Sequence, residues 1–463
     1  MNGTETKEGD RFVRVGTLEE LAARRMTVVS GGHPPILVIA DGARCYAVDN
    51  RCPHLGFPLQ RGTLEDGILT CHWHHARFDV ASGGGFDLWA DDLPTAAVEV
   101  RDDEVWVSTA LRYADGQTHW RNRLRDGMAH DLGLVIAKAI LGLRAQGVPP
   151  LDLIREAALF GARGREDWGA GLTVLTALGN LIAVLPEESS YLALYKGITK
   201  VAKDCAGQPA RRAGQPLDPA PPAETLARWL RHWTAVRHRD AIERTVLAGI
   251  SARLAPATLA EMLLAAATDR VFADGGHTLD FLNKAFELLD LIGWAHADAV
   301  LPTTVEHLAS ARGAEESTAW RHPIDLIALS ADAAAEFPSA IAIGGRSARP
   351  WSGTIALAEA LLGDSPSAIA QAMIKAIAEG AAPPDLGRAL AYAAALRVAR
   401  FGTSNEHSDW EAAHHAFTYA HATHRMLARL AAGGRPPTAE SLLAVLHGAM
   451  HCLLYTSPSP RDS

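Results

Sequence analysis

The sequence predicts a two-part chain, an N-terminal antiparallel all-β domain over residues 1–112 followed by a large all-α domain over residues 113–451. Three observations carry that prediction. Up to Ser108 the apolar residues come in short alternating or β-branched runs punctuated by Gly, Asp and Asn, the pattern of strands joined by tight turns. After Tyr113 they recur at three and four residues, as in Leu132, Ile136, Ile140 and Leu143, and alanine becomes common, which is helical periodicity. Proline then stands just ahead of such runs, at Pro149-Pro150, Pro256, Pro383-Pro384 and Pro436-Pro437, where a first helical turn has no use for the missing N–H.

In chain order, strands are expected at 12–15, 26–29, 36–39, 45–48, 68–70, 97–100 and 105–107. A short capped helix is expected over 18–23 behind Thr17, and a hairpin turn at 102–104. Between Gln117 and His451 the periodicity accommodates about twelve helices of ordinary length. The segment 206–223 is rich in Pro, Ala and Gly and reads as a mobile loop between helices. No fixed repeat period emerges, which favours a globular helical array over a solenoid. Residues 452–463, ending Ser457-Pro458-Ser459-Pro460-Arg461-Asp462-Ser463, resemble the in-frame translation of a transposase sequencing adapter and are set apart from the fold.

The 463 residues carry 44 basic and 53 acidic side chains, a net charge of -9. Nucleic acid, which wants a basic face, is not an expected partner; an acidic surface suits a basic reductase. Residues 1–10 show no apolar stretch behind a basic start, so no secretory signal is expected. No run of about twenty uninterrupted apolar residues suggests a membrane span. The expected location is cytoplasmic, with Cys45 and Cys205 as unpaired thiols in a reducing compartment.

The chemistry concentrates between Arg51 and Gly85. Cys52-Pro53-His54-Leu55-Gly56 is followed, with sixteen residues between His54 and Cys71, by Cys71-His72-Trp73-His74. Each half sets one thiolate and one imidazole on a tight loop, so the two loops together offer four donors. Tetrahedral zinc accepts two Cys and two His, but zinc knuckles pair like with like, whereas here each loop is mixed. A mixed pair on each loop suits a binuclear cluster, with Cys52 and Cys71 on one iron and His54 and His74 on the other.

These residues, with Ala76-Arg77-Phe78-Asp79 and Ser82-Gly83 beyond, resemble the Rieske [2Fe-2S] family over about residues 10–110. The resemblance implies one [2Fe-2S] cluster per chain, an antiparallel β fold with the cluster loops at its tip, and an electron-donating reductase or ferredoxin as partner. The respiratory-complex type carries a further cysteine on each cluster loop, forming a disulfide. Phe57 and Trp73 stand at those positions here, which aligns the domain with the ferredoxin and dioxygenase type. Few polar donors near the sulfurs would place the potential low in the Rieske range, about -150 mV.

The ring-hydroxylating oxygenase arrangement, mononuclear iron on two His and one carboxylate, has no counterpart, since no histidine follows Asp274 and His277 at the needed spacing. Glu411, His414, Thr418 and His421 share one helical face, and Glu411 and His414 have the spacing of helical di-iron sites, although Ser408 and Glu411 also fit a capping box. His277, Asp280, Lys284 and Glu287 form a polar stripe expected to face solvent. His130 reads as a buried imidazole, catalytic or, more readily, a satisfied core one, and His447 and His451 have chelating spacing. Segments 276–282 and 414–421 resemble parts of the questin oxidase-like proteins. That resemblance implies an oxygen-inserting or ring-opening reaction on an aromatic or polycyclic substrate, with His277 and His414 as the catalytic candidates.

Overall fold

The computed structural model describes residues 11–31, 34–42, 44–113, 116–347, 350–403 and 406–454, the backbone alone at 408, 409 and 452–454. The β region holds strands β1 (Phe12–Thr17), β2 (Met26–Val29), β3 (Ile36–Asp41), β4 (Arg44–Asp49), β5 (Thr63–Glu65), β6 (Ile68–Thr70), β7 (Arg77–Asp79), β8 (Val98–Arg101) and β9 (Glu104–Ser108). They form three antiparallel sheets, ordered β1-β9-β8, β2-β3-β4 and β5-β6-β7. The helix Leu18–Arg24 starts in a capping box, the Thr17 hydroxyl accepting from the Glu20 N–H and the Glu20 carboxylate from the Thr17 N–H. Asp102 and Asp103 both take positive φ, as a two-residue hairpin turn between β8 and β9 requires.

Strand β3 shows how this part is organised. It is buried from Ile36 to Ala40, and its alternation sends successive side chains to opposite faces. Ile36 and Val38 join Leu21, Ala47, Val105 and Val107 in one core. Leu37 and Ile39 join Leu59, Leu69 and Phe78 in a second core, which also contains Cys52 and Cys71. The sulfurs therefore stand at the edge of a packed apolar volume that excludes water from one side.

By packing, the chain forms two compact units: Met1–Leu153 with Leu185–Ala206, and Ile154–Val184 with Gly207–Ser463. Helices Gly116–Ala129, Gly133–Ala145 and Glu187–Cys205 belong to the unit of the β-sheets. The change of sequence texture near Tyr113 marks a change of secondary structure, while packing continues beyond it.

Seventeen helices follow the β region among the described residues, more than the twelve expected. Ala297–Val300 and Val305–Ser310 are too short to display a helical period. In the second unit, His277–Ile292 packs against Ala170–Leu181 and His407–Ala432. The segment expected to be a mobile loop is tied down in its first half. Arg211 pairs with Glu243, both nearly buried, the Gly214 N–H donates to the Glu243 carboxylate at 3.2 Å, and the Arg212 N–H donates to Glu166 at 3.2 Å. Leu326–Gly344 is long and apolar enough to cross a membrane by length and composition, and carries Asp332, Glu336 and Pro338 within it. Most of the adapter-like segment, 455–463, lies outside the described residues.

Candidate metal centre

The two loops expected to carry the metal fold alike. After β4, the Cys52 N–H donates to the Phe57 carbonyl at 2.8 Å and the Gly56 N–H to the Cys52 carbonyl at 2.7 Å. After β6, the Cys71 N–H donates to the Ala76 carbonyl at 2.8 Å and the His75 N–H to the Cys71 carbonyl at 2.9 Å. Each cysteine thus opens the same turn, bonded to residues five and four positions on. The fourth residue after each cysteine has positive φ, 81° at Gly56 and 63° at His75. Glycine suits that backbone and histidine tolerates it less readily, which is why only the first turn announces itself in the sequence.

The turns gather like donors together. Cys52 and Cys71 are both free and buried, with Cys71 close enough to engage the Cys52 sulfur. The rings of His54 and His74 meet edge to face, centroids 4.7 Å apart. Burial, aided by the Cys71 neighbour, pushes the Cys52 thiol up to about 11, against the backbone N–H groups of His54 and Leu55. Holding both sulfurs as thiolates therefore calls for cationic charge beside them. Burial, then His74 and Lys138, hold His54 below its ordinary range, favouring the neutral imidazole that a metal ligand must be. Its Nδ1 is buried without a protein hydrogen-bond partner.

A sulfur pair beside a nitrogen pair, with an open ring nitrogen, fits a binuclear iron–sulfur cluster. Among the described residues no group of three or more His, Cys, Asp or Glu collects where one ion could sit. Two irons sharing sulfides need only a pair of protein ligands each. His74 and Trp73 are exposed, but His54 is half-buried against Trp89, centroids 4.8 Å apart.

The helical candidates do not converge. His277 is half-buried and faces His415, centroids 4.5 Å apart, with Phe281 stacked on its other side. His414, one position and about 100° round the helix, is exposed and lies near Trp410. Glu411 is exposed and pairs with His407 at 3.4 Å. His421 is half-buried near Lys284 and Glu287. His130 is exposed rather than a core imidazole, and its Nδ1 meets the Asp126 carbonyl at 3.0 Å. His447 is buried, and burial lowers it to about 4.

The polar stripe on His277–Ile292 is not a solvent face. Asp280, Asn283 and Glu287 are all buried, because neighbouring helices cover the element on several sides. Glu287 is satisfied by Lys284 at 2.8 Å, Asn283 at 2.9 Å and Asn180 at 3.0 Å. Asp280 Oδ1 has no hydrogen-bond partner, and burial raises this carboxyl to about 6. The folded chain therefore keeps a proton there between about pH 4 and 6 that the unfolded chain has released, so this group's contribution to stability falls as pH rises through that window. Asp280→Asn removes the effect. The stability of the variant relative to the parent should rise by about 2 kcal/mol between pH 4 and 7, read from urea unfolding at each pH.

Both loops lie within a stretch that resembles known proteins. Residues 11–92 match the family model of the Rieske [2Fe-2S] domain. The biphenyl 2,3-dioxygenase ferredoxin component of Rhodococcus jostii (strain RHA1) is 35% identical over 89 residues, 19% of this chain and 83% of that one. Apoptosis-inducing factor 3 of Homo sapiens is 31% identical over 91 residues, and the chain spans only 15% of its length. Among solved structures, the ferredoxin of carbazole 1,9a-dioxygenase from Nocardioides aromaticivorans IC177 is 28% identical, covering 21% of this chain and 98% of that one with a TM-score of 0.21.

Proposed function

Because the chain belongs to the Rieske [2Fe-2S] family through residues 11–92, we propose that it accepts single electrons from a reductase or ferredoxin and passes them to oxidative chemistry associated with its helical part. The observation that carries this reading is the paired donor set at the loop tips, two sulfurs side by side and two imidazoles edge to face.

In this reading Cys52 and Cys71 hold one iron and His54 and His74 the other. The cluster, when bound, supplies a reversible one-electron centre. The protein supplies the rest. The twin turns fix all four donors, and the apolar core behind the cysteines keeps water from the sulfurs. The N–H groups of His54 and Leu55 are directed at the Cys52 sulfur. Exposed His74, with Leu55 and Trp73 exposed beside the loops, offers a partner one imidazole edge and an apolar rim. His54 is turned in against Trp89. The port is therefore one-sided.

The oxidation itself, on an aromatic or polycyclic small molecule, rests on the helical histidines. His277 remains the best placed of them because a second imidazole, His415, adjoins it. A second reading, a non-catalytic carrier or redox sensor whose helices dock a partner, is favoured by the separate surroundings of His277, His414 and His421 within the second unit. One titration and one turnover assay separate the two. The reconstituted chain should take up a single reducing equivalent, followed by bleaching of its visible absorbance. With a reductase, NADH and a panel of polycyclic phenols, the first reading expects substrate-dependent oxygen uptake that His277→Ala abolishes while leaving the reducing equivalent intact. No substrate-dependent uptake with any of the substrates, in the parent and in His277→Ala alike, supports the carrier.

A further inference from the structure

The helix Gly133–Ala145 lies beyond the residues that the Rieske family model matches, yet it reaches back to the first cluster loop. Lys138 Nζ donates to the Pro53 carbonyl and, at 3.3 Å, to the carbonyl of His54. It also stands 3.2 Å from Asp91 Oδ2. Asp91 is buried, and its other oxygen takes the Arg123 Nε at 3.0 Å, while Arg123 Nη2 donates to the Leu88 carbonyl at 2.7 Å. Trp89, inside the same Leu88–Asp91 stretch, packs on the His54 ring. All these groups belong to one compact unit.

Asp91 lies between Arg123 and Lys138, and Arg123 also has Asp126 at 3.7 Å and Asp92 nearby. The cation held directly against the backbone of a proposed iron ligand is the Lys138 ammonium, in a mostly desolvated place. Bulk water screens such a charge only weakly. A centre that gains an electron gains negative charge, so a fixed cation nearby favours its reduced state.

From this geometry we infer that Lys138 is a positioning residue through which the appended helix raises the reduction potential of the cluster and holds the His54 loop. The inference rests on the reading of Cys52, His54, Cys71 and His74 as cluster ligands. It adds that the helical part of the chain tunes the centre as well as being fused to it. Lys138 is a favourable residue to change. When it is replaced, Asp91 keeps Arg123, so no buried charge is left unpaired.

The test is an EPR-monitored redox titration of the full chain and of Lys138→Met, Lys138→Gln and Lys138→Arg, with iron and sulfide measured on each preparation. Met and Gln should lower the midpoint. At the parent's midpoint potential their reduced-to-oxidised ratio should fall about tenfold, equivalent to about 59 mV for a one-electron couple. Arg should stay near the parent, and all three should keep the parent's signal shape. Midpoints of the Met and Gln variants equal to the parent's would overturn the inference. So would an Arg variant that falls as far as Met, which would make geometry and not charge the cause, or loss of the cluster in all three, which would make Lys138 a part of the loop's fold. A parent with no iron or sulfide would refute the ligand reading itself, a result distinct from any of these.

Discussion

Cys71→Ser is expected to yield a folded chain that retains almost none of the parent's iron and sulfide. Cys71 is 1% exposed and lies in the same apolar core as Leu69 and Phe78. Its sulfur adjoins that of Cys52, and both belong to one pair. Serine keeps the size and the turn, because the bonds that shape the loop run through the Cys71 backbone to Ala76 and His75. It does not keep the donor. A hydroxyl is far harder to ionise than a thiol, and in a buried site the anion it would need is harder still to form. Iron and sulfide analysis beside the far-ultraviolet circular dichroism of parent and variant checks this. A Cys71→Ser chain that held its full complement of metal would remove Cys71 from the ligand set.

Phe78→Ala should be the most damaging single truncation in the β region, costing about 3–5 kcal/mol. Phe78 is fully buried on β7 and opposite Leu69 on β6. Its ring fills the core that carries both cysteines. The space left behind is surrounded by the apolar core, so the cavity term adds to the lost transfer energy. The midpoint for loss of the visible cluster absorbance in urea should fall accordingly, with little change in slope. Ile68, on the same small sheet but 36% exposed, should lose under about 1 kcal/mol when shortened.

These expectations show what one dimension of sequence can carry. The four donors were readable because two short motifs place unlike ligands at fixed spacing, and the chemistry narrows from there. The long strands were readable because β-branched runs such as Ile36–Asp41 stand between turn residues. Strands β5 and β7 were not, since Thr63-Leu64-Glu65 and Arg77-Phe78-Asp79 each hold one apolar residue between polar ones, whereas the equally short β6 carries Ile68-Leu69 together. The likeness of the two cluster turns was hidden because His75 takes the role that Gly56 takes in the first.

In the helical part, helix type was clear and facing was not. The charged stripe from His277 to Glu287 obeys the rule for a solvent face, but Glu287 is satisfied in the interior by Lys284, Asn283 and Asn180 while Asp280 is buried with Oδ1 unpartnered, and no local signal distinguishes the two cases. His414 and His415 are adjacent in sequence, and only packing decides that the second meets His277. Lys138 was invisible for a further reason. Its partners lie 84 and 85 residues earlier, and a lysine on an amphipathic helix ordinarily means nothing more than solvent.

The most direct measurement of the central claim is EPR of the dithionite-reduced chain, with iron and sulfide quantified, beside a His54→Cys/His74→Cys variant. The account predicts about two irons and two sulfides per chain and a Rieske-type signal that shifts in the variant toward that of an all-cysteine cluster. Zinc in place of iron, or a reduced chain with no such signal, would contradict it.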